Sequence, residues 1–435
     1  MDDDEDRAHG HDGTPPSPIP ALNFQSLKVI SALGRGAKGV VFLIKDEERD
    51  ENLALKVISK ALIEKKGKAF NNEGSEYRRV SFEQRVLRRL RHPLFPRLRG
   101  VLNTDKLVGY AIDYCPGRDL STLRKRQTER MFSDDVIRFY AAELVLALEY
   151  LHSLGIVYRD LKPENIMIQQ NGHIMIVDFD LSTKLSPKTP QSRPPKNPVS
   201  KSVSLKNKKK SFSPFNCFCN SGISPDYSVS TSPCIDNTAH TDSDSSEKSN
   251  SFVGTEEYVA PEIVSGNGHD FAVDWWSLGV VLYEMLYGVT PFRGINRKET
   301  FYRILTKQPE LTGEATPLRD LIRRLLEKNP TERIDVEGIK GHDFFAGVEW
   351  DTVLQISRPP YLPDHEDECR VEDEIDVESV IRGIFEGGEI ENENENENSN
   401  NNNNNEDEKY KNVANNIWVQ GLNPKPCEDD NFRNF

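Results

Sequence analysis

The stretch Tyr158-Arg159-Asp160-Leu161-Lys162-Pro163-Glu164-Asn165, followed by Ile174-Met175-Ile176-Val177-Asp178-Phe179-Asp180, brings a carboxylate, an ammonium, an amide and a second carboxylate close together in the chain. Asp160 can accept a proton from a hydroxyl, and Lys162 can neutralise charge on a transferring phosphoryl group. Asn165 and Asp178 offer hard oxygens to Mg²⁺. Phosphoryl transfer needs little covalent help but much positioning and charge neutralisation, which these side chains can supply. Upstream, Leu33-Gly34-Arg35-Gly36-Ala37-Lys38-Gly39-Val40-Val41 spaces its glycines so that backbone can approach the phosphates of ATP without obstruction. A dinucleotide-binding strand–turn–helix could share that pattern, but here the glycines lead into a second strand-like run, Val40 to Ile44. Lys56, within Ala54-Leu55-Lys56-Val57, follows, and Glu83 on a helical pattern could pair with it and aim it at phosphates.

These residues need elements to carry them. From Phe24 to Val57 the pattern is strand-like: Leu27, Val29 and Leu33 alternate, then Val40 to Ile44 and Leu53 to Ile58 form short apolar runs. Phe82, Val86 and Leu90 recur at helical spacing, as do the apolar positions of Phe139 to Leu151, with Ser133 as the expected N-cap. Trp275 to Tyr287 and Leu318 to Leu326 also read as helices. A strand-rich first part and a helix-rich second part predict two lobes of an α+β fold.

The net charge of −14 is unevenly spread. Residues 361–435 hold 6 basic and 21 acidic residues, so the remainder sums to about +1 and the acidity belongs to the ends. Residues 1–23, rich in Asp and Pro, read as a disordered leader. About 183–250 reads as a long insertion crowded with Ser, Pro, Lys and Asn, and 346–435 as an acidic, low-complexity tail. Cys217 and Cys219 have no second pair at metal spacing, and six cysteines are too few for a disulfide framework. No apolar run is long enough to span a membrane, and the acidic start excludes a secretory signal. The expected compartment is the cytoplasm, with nuclear or peripheral-membrane pools suggested by Lys208-Lys209-Lys210. Nucleic acid is not among the expected partners.

Taken in order, these motifs resemble the eukaryotic protein kinases. The likeness covers about residues 24–345 apart from the insertion, and includes Ala260-Pro261-Glu262, Asp274-Trp275-Trp276-Ser277-Leu278-Gly279 and Arg333. It implies a bilobal protein kinase fold, with a β-rich small lobe at 24–117 and a mainly α-helical large lobe at 118–345. It also implies pairing of Glu262 with Arg333, and anchoring of the catalytic loop by Asp274. By the same likeness Ile112 is the gatekeeper, and Asp113 to Cys115 form the hinge that receives adenine. Lys162 and Thr255 point to serine/threonine specificity, and Asp119 and Glu164 to a preference for basic residues upstream of the target hydroxyl. A narrower resemblance to the plant AGC group, and within it to the oxidative-signal-inducible kinases, rests on several features. These are Asp180 in place of glycine, the insertion, Asn250 to Tyr258, Tyr110 to Gly117 and Gly268 to Asp274.

That resemblance implies an ATP- and Mg²⁺-dependent enzyme acting on other signalling kinases in oxidative-burst and defence pathways, upstream of mitogen-activated kinase cascades. A pseudokinase scaffold is the rival reading, and retention of Lys56, Glu83, Asp160, Asn165 and Asp178 speaks against it. Ser251, four residues before Thr255, matches the family's activating phosphosite, with Arg159 and Arg79 as expected phosphate partners. Phe432 and Phe435, two aromatics in an otherwise polar tail, match the Phe-x-x-Phe motif of the AGC group. That motif docks in the kinase's own small lobe or recruits an upstream phosphoinositide-dependent kinase. Asp180 should restrict the backbone flip of the metal loop that glycine permits.

Overall fold

Alternating apolar and polar residues between 27 and 59 build three antiparallel strands, β1 (Leu27–Arg35), β2 (Gly39–Asp46) and β3 (Glu51–Ser59). They join β4 (Leu98–Asn103) and β5 (Leu107–Asp113) in one five-stranded antiparallel sheet of order β1-β2-β3-β5-β4. Val29, Val40, Phe42, Ile44, Leu55 and Val57 form the core on one face of this sheet. Because side chains alternate along a strand, Lys56 must point to the other face. There it meets α1 (Ser75–Arg89), whose buried stripe is Val80, Glu83 and Leu87. The computed structural model describes residues 21–22, 26–35, 39–61, 63, 75–185, 249, 251 and 253–363. All of these belong to one compact unit, and a second unit, 186–247, lies outside the described residues.

After a short α2 (Leu120–Lys125), the large lobe is organised by two long helices. The first, α3 (Asp134–Ser153), begins at Ser133, whose hydroxyl accepts from the Val136 amide as the N-cap spacing predicts. Asp134 and Asp135 complement the positive end of its dipole. Past β6 (Ile156–Val157), β7 (Ile166–Ile168), β8 (Ile174–Ile176), β9 (Thr183–Lys184) and α4 (Pro261–Ser265) comes α5 (Ala272–Tyr287), buried continuously from Val273 to Met285. A helix buried on every side must satisfy its polar groups internally. Ser277 accordingly donates to the Tyr258 and Val273 carbonyls, and Glu284 pairs with Arg124 at 2.7 Å. The lobe is completed by α6 (Arg297–Thr306), α7 (Pro317–Leu325), capped by Thr316, and α8 (Val336–Lys340).

Two boundaries differ from the sequence reading. Thr183 and Lys184, assigned to the insertion on composition, pair as β9 with Val157 and Ile156. A two-residue strand carries too little pattern to be read in advance. Residues 346–363, grouped with the tail, keep packing on the large lobe: Val353 is buried, and Leu354 and Tyr361 lie against the core. The Trp350 ring sits 5.0 Å from that of Phe345, and the His173 imidazole meets the Ile356 carbonyl at 3.2 Å.

Helices α5 and α7 come close together at Gly279. A Cβ there would lie 2.8 Å from Leu325 Cβ and 3.0 Å from Leu326 Cδ2, so α5 and α7 can approach only because the residue is glycine. Gly279→Ala should therefore destabilise the protein by about 1–3 kcal/mol through overpacking. An unchanged urea midpoint would show that the two helices part freely.

Candidate active site

Lys56, Glu83 and Asp178 meet beneath the sheet. The Lys56 ammonium lies 3.0 and 3.1 Å from the two Glu83 oxygens and 3.0 Å from Asp178 Oδ1. Burial opposes the charge on Lys56, yet Glu83 and Asp178 outweigh it and hold its pKa well above the ordinary value. One ammonium cannot serve both acids equally. The more deeply buried Glu83 is pushed up by desolvation, whereas Asp178 is desolvated too but held down by Lys56, and stays charged. Glu83 also accepts from the Phe179 amide at 3.1 Å, so the position of α1 and that of the Asp178 loop are fixed together.

A second set is built on Asp274, fully buried in the first turn of α5. Its carboxylate accepts from the Tyr158 amide at 2.9 Å and the Arg159 amide at 2.7 Å, and contacts His152 Nε2 at 2.8 Å. These bonds hold Arg159 at φ 69°, a left-handed conformation unusual for arginine. The adjoining Asp160 is surrounded by donors: Lys162 Nζ at 2.7 Å, Thr255 Oγ1 at 2.7 Å and Asn165 Nδ2 at 3.0 Å. Lys162 also donates to Thr255 at 2.9 Å. With its NH₂ turned to Asp160, the Asn165 amide oxygen faces away from it. Asn165 and charged Asp178 make a sparse set of hard oxygens, which suits Mg²⁺, an ion that keeps waters and phosphate oxygens as its other ligands. Among the described residues no group of three or more His, Cys, Asp or Glu could hold a metal without such help.

In the metal loop, positive φ falls on Asp178 (61°) and not on Asp180, so the position usually held by glycine here takes a backbone that an L side chain accepts. Phe179 is buried, with its ring 5.6 Å from Tyr158 and 6.1 Å from Phe95. The polar tip of Tyr158 donates to the Val177 carbonyl at 2.5 Å, so the tyrosine itself ties the catalytic loop to the metal loop.

Gly36, Ala37 and Lys38 of the glycine loop lie outside the described residues. Gly34 borders open space, whereas a Cβ on Gly39 would lie 2.1 Å from the Val57 carbonyl oxygen, so Gly39 closes the β2–β3 pairing. Val41 is the cross-strand partner of Lys56 and shares its face. Val40, read with the loop as ATP-binding, instead turns into the sheet core. At the hinge, the Asp113 carboxylate accepts from the Arg97 amide at 2.9 Å and from Arg99 Nε at 2.5 Å, which commits its side chain to structure. The buried Cys115 thiol sits 3.5 Å from Met175 Sδ, and burial pushes its pKa up to about 12, so it is a packing group and no nucleophile.

Arg159 reaches away from the catalytic loop. Its Nη1 donates to Ser251 Oγ at 2.6 Å and Ser249 Oγ at 3.0 Å, and its Nε donates to the Leu181 carbonyl at 2.7 Å. Arg78, Arg79 and Arg85 of α1 line the same cavity of about 310 Å³. Deeper in the large lobe, Arg333 and Glu262 form the expected brace, a buried bidentate pair at 2.6 and 3.0 Å. Sequence reasoning missed the bonds of Thr255 to Asp160 and Lys162, although its place just before Ala260-Pro261-Glu262 was visible. It also missed the role of His269, which meets Arg159 Nη1 at 3.4 Å; the Gly268–Asp274 stretch that contains it carried the resemblance but assigned it no partner. Phe432, Phe435, Cys217, Cys219 and Lys208 to Lys210 lie outside the described residues. Among the described residues no helix is long and apolar enough to cross a membrane.

A five-stranded sheet delivering one lysine to a helix-borne glutamate, above a loop held by a buried aspartate, is protein kinase architecture. The chain belongs to that family, whose protein kinase domain matches residues 27–201 and 236–345. More narrowly, it is a serine/threonine protein kinase of the plant AGC group. It is 60% identical over 417 residues to serine/threonine-protein kinase OXI1 of Arabidopsis thaliana, covering 94% of this chain and 96% of that protein. UCN and UCNL of the same plant are 42% and 43% identical, each across 81% of this chain and 87% of the relative.

Asp160→Asn keeps the size of the side chain but weakens its basicity. It should reduce phosphate transfer by about 10²–10⁴-fold while leaving ATP affinity nearly intact. Wild-type turnover in a preparation free of other kinases would remove Asp160 from the chemistry.

Proposed function

We propose that this kinase transfers the γ-phosphate of MgATP to serine and threonine hydroxyls of other signalling kinases, and that phosphorylation of Ser251 switches it on. The observation that carries the reading is the set of donors around Asp160. Lys162 and Thr255 hold its carboxylate in place, ready to receive the proton of an incoming hydroxyl. Lys56, held by Glu83, orients the phosphates, while the backbone of Asp113 to Cys115 receives adenine. Asn165 and Asp178 would hold Mg²⁺, which supplies charge neutralisation at the phosphates when bound. Transfer of radiolabelled phosphate from ATP to a generic serine/threonine substrate, and its loss with EDTA, tests this part.

Glu164 is exposed, whereas both Asp119 oxygens are engaged by Thr122, so any preference for upstream basic residues rests chiefly on Glu164. The place in oxidative-burst and defence signalling rests on the likeness of Tyr110–Gly117 and Gly268–Asp274 to the oxidative-signal-inducible kinases.

The switch reading is supported by the 2.6 Å bond from Arg159 to Ser251 and by the arginines lining that cavity. A phosphate there would bring about −1.5 to −2 charges to a site rich in guanidinium. Ser251→Ala should lower activity by about tenfold or more, and Ser249→Ala by less, since loss of the phosphate leaves the segment unanchored. The reverse order would move the site to Ser249.

The tail motif Phe432–Phe435 would recruit the upstream phosphoinositide-dependent kinase that modifies Ser251. Each phenylalanine could contribute about 1.5–3 kcal/mol on full burial in its docking pocket. Removing these residues should reduce binding to that kinase and Ser251 phosphorylation together, with ATP binding unchanged. Equal phosphorylation of truncated and full-length chains would refute the docking role.

A further inference from the structure

Arg159 is held by more than the hydroxyls it would read. Its Nη1, already donating to Ser249 and Ser251, lies 3.4 Å from His269 Nε2. A guanidinium nitrogen can only donate. Two Nη1 hydrogens face three acceptors, so the Nε2 contact is a shared one, and an imidazole nitrogen facing those hydrogens presents a lone pair, which places the His269 proton on Nδ1. Burial, reinforced by Arg159, pushes His269 down to about 4 against the weaker pull of Glu262, Asp274 and Asp270. The ring therefore remains a neutral acceptor at any cellular pH.

The same residue also grips the activation segment through its backbone. Ser249 N donates to the His269 carbonyl at 2.9 Å and His269 N donates to the Ser249 carbonyl at 2.8 Å, a reciprocal bridge two residues from Ser251. Gly268, at φ 73°, sets the turn that presents it. His269 is only 2% exposed, so this double hold is shielded from water. One residue thus fixes both the arginine and the chain that carries the target hydroxyl.

We propose that His269 is a positioning residue of the activation switch, holding Arg159 and the Ser249–Ser251 backbone together so that a phosphate on Ser251 meets an ordered guanidinium. The inference rests on the reading of Ser251 as the phosphoacceptor. Arginine has much rotamer freedom to lose on binding an anion, and a side chain already held by an acceptor has less left to lose. His269 touches neither substrate nor nucleotide and acts only through Arg159.

The test uses the full chain, phosphorylated on Ser251 and dephosphorylated, with occupancy measured by mass spectrometry. The ratio of kcat/KM between the two states is the readout. His269→Phe keeps ring volume but removes the acceptor, and His269→Gln restores an acceptor oxygen. Phe should cut the activation ratio by about tenfold, the effect of one lost charge-assisted hydrogen bond, and should speed removal of the Ser251 phosphate by a phosphatase. Gln should keep the ratio within about threefold of wild type, and both variants should keep the KM for ATP within about twofold. A His269→Phe protein with wild-type activation ratio and phosphatase resistance overturns the proposal, and so does a Gln variant no better than Phe. Should Phe fold poorly, ¹⁵N-histidine spectra of the wild-type chain decide. His269 must carry its proton on Nδ1 and not titrate between pH 5 and 8, and the opposite tautomer or a titration there overturns the proposal. Wild-type activity in Ser251→Ala would instead refute the parent reading of Ser251, a result distinguishable from every outcome at His269.

Discussion

One half-buried ammonium sets the geometry of the cleft. Lys56 stands between Glu83 and Asp178, and because Glu83 is almost wholly buried, losing Lys56 would leave that carboxylate unpaired, at a cost of about 3–5 kcal/mol for a broken buried pair. That penalty puts a strand, a helix and a loop, far apart in sequence, into mutual register. From Glu83 the constraint passes to the Phe179 amide, and from the Phe179 ring to Tyr158 and Phe95. The catalytic loop below is then held from the other side by Asp274. Charge satisfaction above and amide satisfaction below meet at the same two loops.

The cost of this arrangement appears in the backbone. Arg159 and Asp178 both adopt positive φ, each a strain of about 1–3 kcal/mol, and each sits where several hydrogen bonds over-determine it. Asp274 can supply such bonds because α5 is buried along nearly its whole length, so its carboxylate has no water to compete with protein donors. A surface aspartate at the same spacing would exchange these partners with solvent.

Much of this was legible in the chain. Lys56, Glu83, Asp160, Asn165, Asp178 and the Glu262–Arg333 pair announce themselves because their chemistry is unusual for their surroundings and their order is restrictive. The lobes followed from the change of period between residues 24–57 and 139–151. What stayed hidden depends on contacts with no local signature. Val40 differs from Val41 only in which face of a strand it occupies, and that is decided by register with β1 and β3. Thr183 and Lys184 become a strand through their partners alone, whereas residues 346–363, grouped with the tail, carry Trp350, Val353, Leu354 and Tyr361 and little net charge, a difference in composition that the single boundary at 345 overlooked. His269 reads as an ordinary polar residue until folding sets it beside Arg159.

The β9 pairing and the Ser249–His269 bridge have a consequence for how the gene can change. They pin the chain just before residue 186 and just after 248, both on the large lobe, so both ends of the intervening stretch are fixed by hydrogen bonds of the large lobe itself. For a flexible connection, doubling its length costs only about 0.6 kcal/mol in closure entropy. For such a connection the demand that these two anchors make on inheritance is narrow: its ends must reach β6 and His269, whatever length the gene places between them.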